Sequence, residues 1–218
     1  MTQPFSAWKV GAAYYATGFA LAVVCLCLAY QGHHWAWIGF AVFGSFGLFS
    51  LFFFRDPARV ITAEAREVVS PADGTVVAVE DLKETPHYSG PCRRISIFLS
   101  IFSVHVNRAP FDGTVRDIRR GGGGFLIASK PEAGELNVSN DIWLDTPRGP
   151  MTVRQITGLI ARRIVCEAGV GETLAKGQKF GMIKFGSRTE LYLPMNAAVC
   201  VKVRDKVAAG TSLVARFQ

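Results

Sequence analysis

A mainly β domain of short strands with a few short helices, carried behind a two-helix membrane hairpin, is the fold class this sequence predicts. Three observations predict it. Two long runs without a charged residue open the chain, Ala12–Tyr30 and Trp35–Phe54. A turn-plus-strand unit then recurs along the remainder. Near the C-terminus two strand-like runs, Met182–Phe185 and Thr189–Leu193, flank Gly186-Ser187-Arg188. Gly-Ser between apolar runs is a turn signal.

The opening runs are 19 and 20 residues long. About 20 apolar residues span a bilayer core as a helix. Gln31-Gly32-His33-His34 is room only for a tight connector, so the pair reads as a helical hairpin. Lys9 precedes the first run; Arg55, Arg59 and Arg66 follow the second, with no Lys or Arg between the runs. The positive-inside rule then puts both ends in the cytoplasm, the hairpin in the cell membrane and the rest of the chain on the cytoplasmic side. Trp35 and Trp37 sit where an interfacial aromatic belt is expected. The rival for the first run, a cleaved signal peptide, lacks a small-x-small site and is followed at once by a second apolar run. Gly39, Gly44 and Gly47 weaken the second helix, which leaves a hairpin embedded in one leaflet as the alternative to a full span. His33 and His34, alone on a loop, read as interfacial polar caps and not as metal ligands.

The division is thus a membrane hairpin over 1–54 and a cytoplasmic domain over 55–218. The first part holds one of the 24 basic residues and none of the 17 acidic ones. The domain therefore carries 23 basic against 17 acidic residues, an excess suited to an anionic membrane surface. No aromatic-basic interleaving or reader motif argues for nucleic acid. Five scattered cysteines (Cys25, Cys27, Cys92, Cys166, Cys200) lack ligand spacing and read as reduced and structural.

Pro71-Ala72-Asp73-Gly74-Thr75-Val76 recurs as Pro110-Phe111-Asp112-Gly113-Thr114-Val115, and more weakly as Pro194-Met195-Asn196-Ala197-Ala198-Val199. A second pattern, V-x-[D/E]-x-[L/V]-x-x-G, appears at Val170–Gly177 and Val203–Gly210. Such repeats argue for a compact β domain. Their pairing resembles the hammerhead units of lipoyl and biotinyl carrier domains, the barrel-sandwich hybrid fold. A carrier would present a lysine at its hairpin tip; here the tip has Gly186-Ser187, and Lys184 lies inside the preceding run.

Between the repeats, Arg93 to His105 is an apolar β-like run that delivers His105 into Val104-His105-Val106-Asn107-Arg108. Gly121-Gly122-Gly123-Gly124 reads as a mobile loop in preference to one approaching a ligand or the membrane closely. Thr152–Val165, with Ile156, Leu159, Ile160 and Ile164 apolar, reads as a strand followed by a short helix.

Asp73, His105 and Ser187 supply an acid, a base and a hydroxyl, the set that activates serine as a nucleophile. Each also has a plain structural reading. Asp73 sits in an Asp-Gly turn and has Asp112 as its repeat-mate, His105 lies in an apolar stretch, and Ser187 is a turn serine.

Five segments in order resemble the short form of phosphatidylserine decarboxylase. They are Phe53-Phe54-Arg55-Asp56-Pro57, Ser70-Pro71-Ala72-Asp73-Gly74, Phe102-Ser103-Val104-His105-Val106-Asn107-Arg108, Gly158-Leu159-Ile160-Ala161-Arg162-Arg163-Ile164 and Phe185-Gly186-Ser187-Arg188. The resemblance implies a proenzyme that cuts itself between Gly186 and Ser187. The products would be a β chain of residues 1–186 and an α chain of residues 187–218, held as a heterodimer that could oligomerise further. It implies that His105, oriented by Asp73, takes the Ser187 proton, and that residue 187 ends as a covalent pyruvoyl group. That cofactor would condense with the amine of phosphatidylserine as a Schiff base and accept electrons as CO2 leaves, giving phosphatidylethanolamine. Arg188 and Arg108 are the candidate headgroup contacts, with a solvated-surface role the alternative for each. No metal is implied.

One stretch departs from the pattern. Where short-form members carry Lys-Ala-Ser and then Asn-Glu-Arg, this chain has Lys130-Pro131-Glu132 and Leu136-Asn137-Val138-Ser139-Asn140. Three rival functions stand beside the decarboxylase. A membrane-tethered carrier-like binding module would never cleave itself. A zinc hydrolase would need clustered His and Asp ligands, and only His87 and His105 follow the membrane segment. A pyruvoyl decarboxylase of a soluble amino acid would have no use for the hairpin.

Overall fold

The computed structural model describes residues 5–128, 132–159, 163–184 and 187–218. It contains two compact units, Ser6–Pro57 and Ala58–Gln218 with Phe5.

The first unit is two helices, α1 (Ala7–Tyr30) and α2 (Ala36–Phe53). At 1.5 Å per residue they are roughly 36 and 27 Å long, and both are long and apolar enough to cross a membrane. Two of the three glycines expected to weaken the second helix, Gly39 and Gly47, have a packing reason, while Gly44 faces open space. A Cβ on Gly18 would lie 3.0 Å from the Gly47 backbone, and one on Gly47 would lie 2.9 Å from the Phe19 ring. Small residues let apolar helices approach closely where no hydrophobic drive separates protein from lipid.

The second unit is mainly β. Its elements in chain order are β1 (Glu67–Val69), β2 (Gly74–Leu82), β3 (Cys92–Leu99), β4 (Val106–Arg108), β5 (Gly113–Gly121), helix α3 (Ala133–Leu136), β6 (Ser139–Thr146) and β7 (Gly149–Ile156). There follow β8 (Arg163–Cys166), β9 (Thr173–Leu174), β10 (Lys179–Lys184), β11 (Ser187–Pro194), β12 (Ala197–Val199), β13 (Lys206–Val207) and β14 (Leu213–Phe217). One curled eight-stranded sheet has the order β13-β2-β3-β11-β7-β6-β5-β9, and two three-stranded sheets, β1-β14-β12 and β4-β10-β8, accompany it.

The repeats fix this topology. Asp73 accepts the Ala209 N–H at 2.8 Å, and its mate Asp112 accepts the Lys176 N–H at 2.8 Å. The Val76 and Val115 N–H groups donate to the carbonyls of Asp205 and Glu172 at 2.9 and 2.8 Å. Each Asp-Gly turn is thus clamped by one copy of the second pattern. Glycine is needed because the neighbouring strand passes close by. A Cβ on Gly74 would lie 2.2 Å from the Phe98 carbonyl oxygen, and one on Gly113 2.9 Å from that of Asp145.

Register across the large sheet decides what each face is made of. On the inner face, Val79, Ile95, Leu191, Val153, Ile142 and Ile118 form one continuous cross-strand row. These apolar residues belong to or pack against the main core. One row further along, Ile97 is followed by Thr189, Gln155 and Asn140. Here the buried face turns polar, and Ser187 lies at the next step, opposite Leu99.

Two expectations are corrected. Where a strand and a short helix were expected over Thr152–Val165, residues 152–156 lie in β7 and 163–165 in β8, with no helix among the described residues; residues 157–159 belong to neither strand, and 160–162 lie outside the described set. Of the apolar residues in that spacing, Ile156 belongs to β7 and Ile164 to β8, so the spacing does not come from one element. The glycine run, read as a mobile loop, is held by backbone contacts. The N–H groups of Gly123 and Gly124 donate to the Leu136 carbonyl at 3.1 and 2.7 Å. Gly122 has φ +70°, and a Cβ there would lie 1.9 Å from the Asn137 carbonyl oxygen. Gly122 and Gly124 serve close backbone approach, at no side-chain cost.

Candidate active site

Ser187 begins β11 and is a strand residue, where a turn serine was expected. It is fully buried, and its Oγ has no hydrogen-bond partner among the described residues. An unpaired buried hydroxyl costs on the order of 1–3 kcal/mol, so it marks either strain or function. Phe185 and Gly186 lie outside the described residues, so the bond between Gly186 and Ser187 carries no geometry here. The flanking strands do. β10 ends at Lys184 in one sheet and β11 starts at Ser187 in another, so two residues connect different sheets.

His105 lies just before β4 and is fully buried. Its carbonyl accepts the Ile183 N–H at 3.3 Å, which places it beside the strand leading into the connection. Its Nδ1 lies 2.9 Å from the Ser103 carbonyl oxygen. A carbonyl can only accept, so Nδ1 carries a proton; in the neutral ring that leaves Nε2 as the basic nitrogen. Ser103 is itself set by a turn, its N–H donating to Ser100 at 2.9 Å.

Asp73 is engaged elsewhere. One carboxylate oxygen accepts Arg59 Nη2 at 2.7 Å and the other accepts the Ala209 N–H. The described geometry therefore gives the orientation of His105 to the Ser103 carbonyl. Asp73 acts on the 70–74 turn, whose Pro71 carbonyl accepts the Arg108 N–H at 3.0 Å and Asn107 Nδ2 at 3.2 Å. That turn holds β4, and β4 holds His105. The ion pair with Arg59 is what separates Asp73 from Asp112, whose described partner is a backbone N–H. Asp73→Ala takes the carboxylate from a largely buried guanidinium, which keeps its bond to the Ala209 carbonyl, and leaves the Ala209 N–H unpaired. We expect a loss of about 2–3 kcal/mol of stability, seen as a lower midpoint in urea, together with slower maturation of any chain cut at residue 187.

The two arginines expected at the headgroup are built into the framework. Arg188 is 5 % exposed. Adjacent strand residues point to opposite faces, so it faces away from the Ser187 side, and its Nη2 lies 3.1 Å from Glu190 Oε1. Arg108, 8 % exposed, donates from Nη1 to the Gly177 carbonyl at 2.9 Å.

Two buried networks escaped sequence reasoning. On the Ser187 face, Asn140 Nδ2 donates to Gln155 Oε1, Gln155 Nε2 to Asn107 Oδ1, and Asn107 Nδ2 to Thr189 Oγ1, over 3.0, 2.9 and 3.1 Å. This amide chain braces β11 two residues from Ser187. On the opposite face Tyr192 donates its hydroxyl to Glu190 at 2.6 Å, and Arg154 joins Asp141 at 3.0 Å. Burial, and then the Glu190 charge, hold the Tyr192 hydroxyl well above its usual range. The only signal in sequence was alternation, Arg188-x-Glu190-x-Tyr192, which needs the strand register to be read.

Exposed apolar side chains gather around the Ser187 end. Phe102 follows β3, which pairs with β11 through Leu99. Leu126, Leu136 and Leu159 hang about Asn137, which bonds to the Leu126 backbone and to the Thr157 carbonyl.

Ser187, a buried hydroxyl with no hydrogen-bond partner among the described residues, and His105, beside the strand leading into the sheet-to-sheet connection, are the candidate reacting residues on this β scaffold. Residues 46–215 match the family model described as phosphatidylserine decarboxylase. The chain is similar to the phosphatidylserine decarboxylase proenzyme of Nitrosomonas europaea, 42 % identical over 210 residues that cover 96 % of this chain and 94 % of that one. It is also similar to the proenzyme of the same name from Carboxydothermus hydrogenoformans, at 46 % over 84 % of this chain and 85 % of that one. For the Ralstonia nicotianae proenzyme the figures are 42 % identity and 89 % of each chain. The chain belongs to the phosphatidylserine decarboxylase family, a family of carboxy-lyases.

Proposed function

We propose that this protein decarboxylates phosphatidylserine to phosphatidylethanolamine and CO2, after cutting itself between Gly186 and Ser187. The observation that carries the reading is the buried Ser187 hydroxyl, without a hydrogen-bond partner among the described residues, at the junction of β10 and β11, with His105 alongside β10. The same observation supports the fit of a serine-derived pyruvoyl group at this position, since Ser187 is spent on no structural hydrogen bond among the described residues.

In maturation, His105 Nε2 takes the Ser187 Oγ proton. Oγ attacks the Gly186 carbonyl carbon, the amide C–N bond breaks as the proton held on His105 passes to the departing nitrogen, and an ester joins residues 186 and 187. Loss of the residue 187 Cα proton and cleavage of the Cβ–O bond release the β chain, 1–186, with a carboxylate at Gly186. The dehydroalanine left on the α chain, 187–218, takes up water and releases ammonia. The resulting pyruvoyl group supplies a ketone for the substrate amine and an electron sink for the departing carboxylate. His105 then holds the proton returned to the substrate carbon, and the buried inner face around it excludes bulk water.

Two features support a lipid substrate over a soluble amino acid: the apolar hairpin and the exposed Phe102, Leu126, Leu136 and Leu159 at the reacting end. The hairpin anchors residues 1–54 in the cell membrane, and the basic excess of 55–218 keeps the domain at the anionic cytoplasmic surface. The test uses the purified full chain in vesicles holding phosphatidylserine labelled at the serine carboxylate. Labelled CO2 and phosphatidylethanolamine should appear, with no release from labelled free serine. A cleaved protein that releases no label from the lipid contradicts the reading.

A further inference from the structure

Beside the reacting connection lies a cavity of about 350 Å³. Arg120 from β5, Arg163 from β8 and Lys184 from β10 line it, with Ser139, Asn140 and Cys166. No acidic residue lines it among the described residues. The two larger polar cavities differ. The one of about 740 Å³ mixes Arg94, Arg119, Arg120 and Arg154 with Glu132, Glu135 and Asp141. The one of about 640 Å³ mixes Arg108 and Lys179 with Glu167 and Glu172.

We propose that the cavity of Arg120, Arg163 and Lys184 binds the anionic headgroup of the substrate, its phosphate and serine carboxylate, in place of Arg188 and Arg108. The inference rests on the decarboxylase reading for the identity of the ligand. Three observations carry it. First, Lys184 and Arg163 are direct cross-strand partners. Cross-strand partners leave the same face of a sheet, so the pair brings two positive side chains to the cavity that both line. Second, Asn140 is 2 % exposed, lines the cavity, and its Oδ1 has no hydrogen-bond partner among the described residues. Third, the place is right. Lys184 and Ser187 straddle the same short connection. Asn140 lies two strands from β11 through β7, about 10 Å at roughly 4.8 Å per strand. Its amide chain reaches Thr189 on the Ser187 face. The cavity volume lies at the low end for small-ligand sites, which are about 300–1,000 Å³. Guanidinium groups suit both anions, since each offers paired oxygens to a planar fork.

The test measures binding of glycerophosphoserine to the full chain in detergent micelles by calorimetry, and turnover of phosphatidylserine in parallel. Arg163→Gln and Lys184→Gln should each raise the dissociation constant at least about tenfold. KM should rise in step, with kcat within about threefold and cleavage into the same two chains. Arg163→Lys, which keeps the charge, should recover most of the binding. Arg148→Gln, on the β6–β7 turn at the far end of the same strands, should change nothing. Arg120→Gln, exposed at a strand end, serves where a substitution closer to the connection impairs folding or cleavage. Wild-type binding in the Arg163, Lys184 and Arg120 variants overturns the proposal. Weakened binding in them, with a wild type that releases no CO2 from the lipid, leaves the cavity assignment standing and removes the decarboxylase reading instead.

Discussion

Ser187→Ala is expected to remain one chain of 218 residues and to release no CO2 from phosphatidylserine. Removing an enzyme's nucleophile costs on the order of 10⁶ in rate, which puts both reactions below detection. Nearby hydroxyls do not substitute. Thr189 Oγ1 accepts from Asn107, and Ser103 Oγ lies 3.2 Å from Ser100 Oγ. Neither is next to the Gly186 carbonyl in sequence. The alanine also removes an unsatisfied buried hydroxyl, so the variant should unfold at equal or higher temperature than the uncut wild-type chain. A gain in stability with total loss of cleavage separates a chemical role from a structural one. The readouts are a denaturing gel, a thermal melt and labelled CO2. Two chains from Ser187→Ala would remove Ser187 from the centre of the account.

His105→Ala carries the next largest effect. A positioned general base contributes about 10²–10⁴ in rate, so self-cleavage should slow by that factor and stay measurable over hours to days. Its pH dependence should change as well. Without the imidazole, hydroxide is the remaining acceptor of the Ser187 proton, and the cleavage rate of the variant should climb steadily with pH. His105→Gln can keep the hydrogen bond to the Ser103 carbonyl through its amide N–H but has no basic nitrogen. It should therefore behave like the alanine in cleavage while melting closer to the wild type. Cleavage of both variants at the wild-type rate would assign His105 to the core alone.

Much of this architecture was legible in the residues, and the reasons are physical. The charge-free runs had to be helices that hide their backbone groups, and they are, over Ala7–Tyr30 and Ala36–Phe53. The Asp-Gly repeats were legible because a close backbone approach leaves glycine as the residue that fits, as at Gly74 beside Phe98. Facing was harder. Arg188 follows Ser187 directly, and proximity in sequence suggested a shared site. In a strand that same proximity puts it on the opposite face, where Glu190 neutralises it. The glycine run misled for a related reason, since flexibility in isolation and close packing against Asn137 demand the same residue. The amide chain Asn140–Gln155–Asn107 comes from three separate strands, and only the register assembles it. The cationic cavity is likewise non-local, since Arg120 is more than forty residues from Arg163 in sequence and yet lines the same space.

The most direct test of the central claim is the intact mass of the purified wild-type protein. The account predicts two chains, residues 1–186 and 187–218, with the smaller one lighter by one ammonia than a fragment beginning with serine. That difference records the conversion of residue 187 and needs no substrate. A single unmodified chain that stays whole on incubation, or a small chain that begins with an unaltered serine, would contradict it.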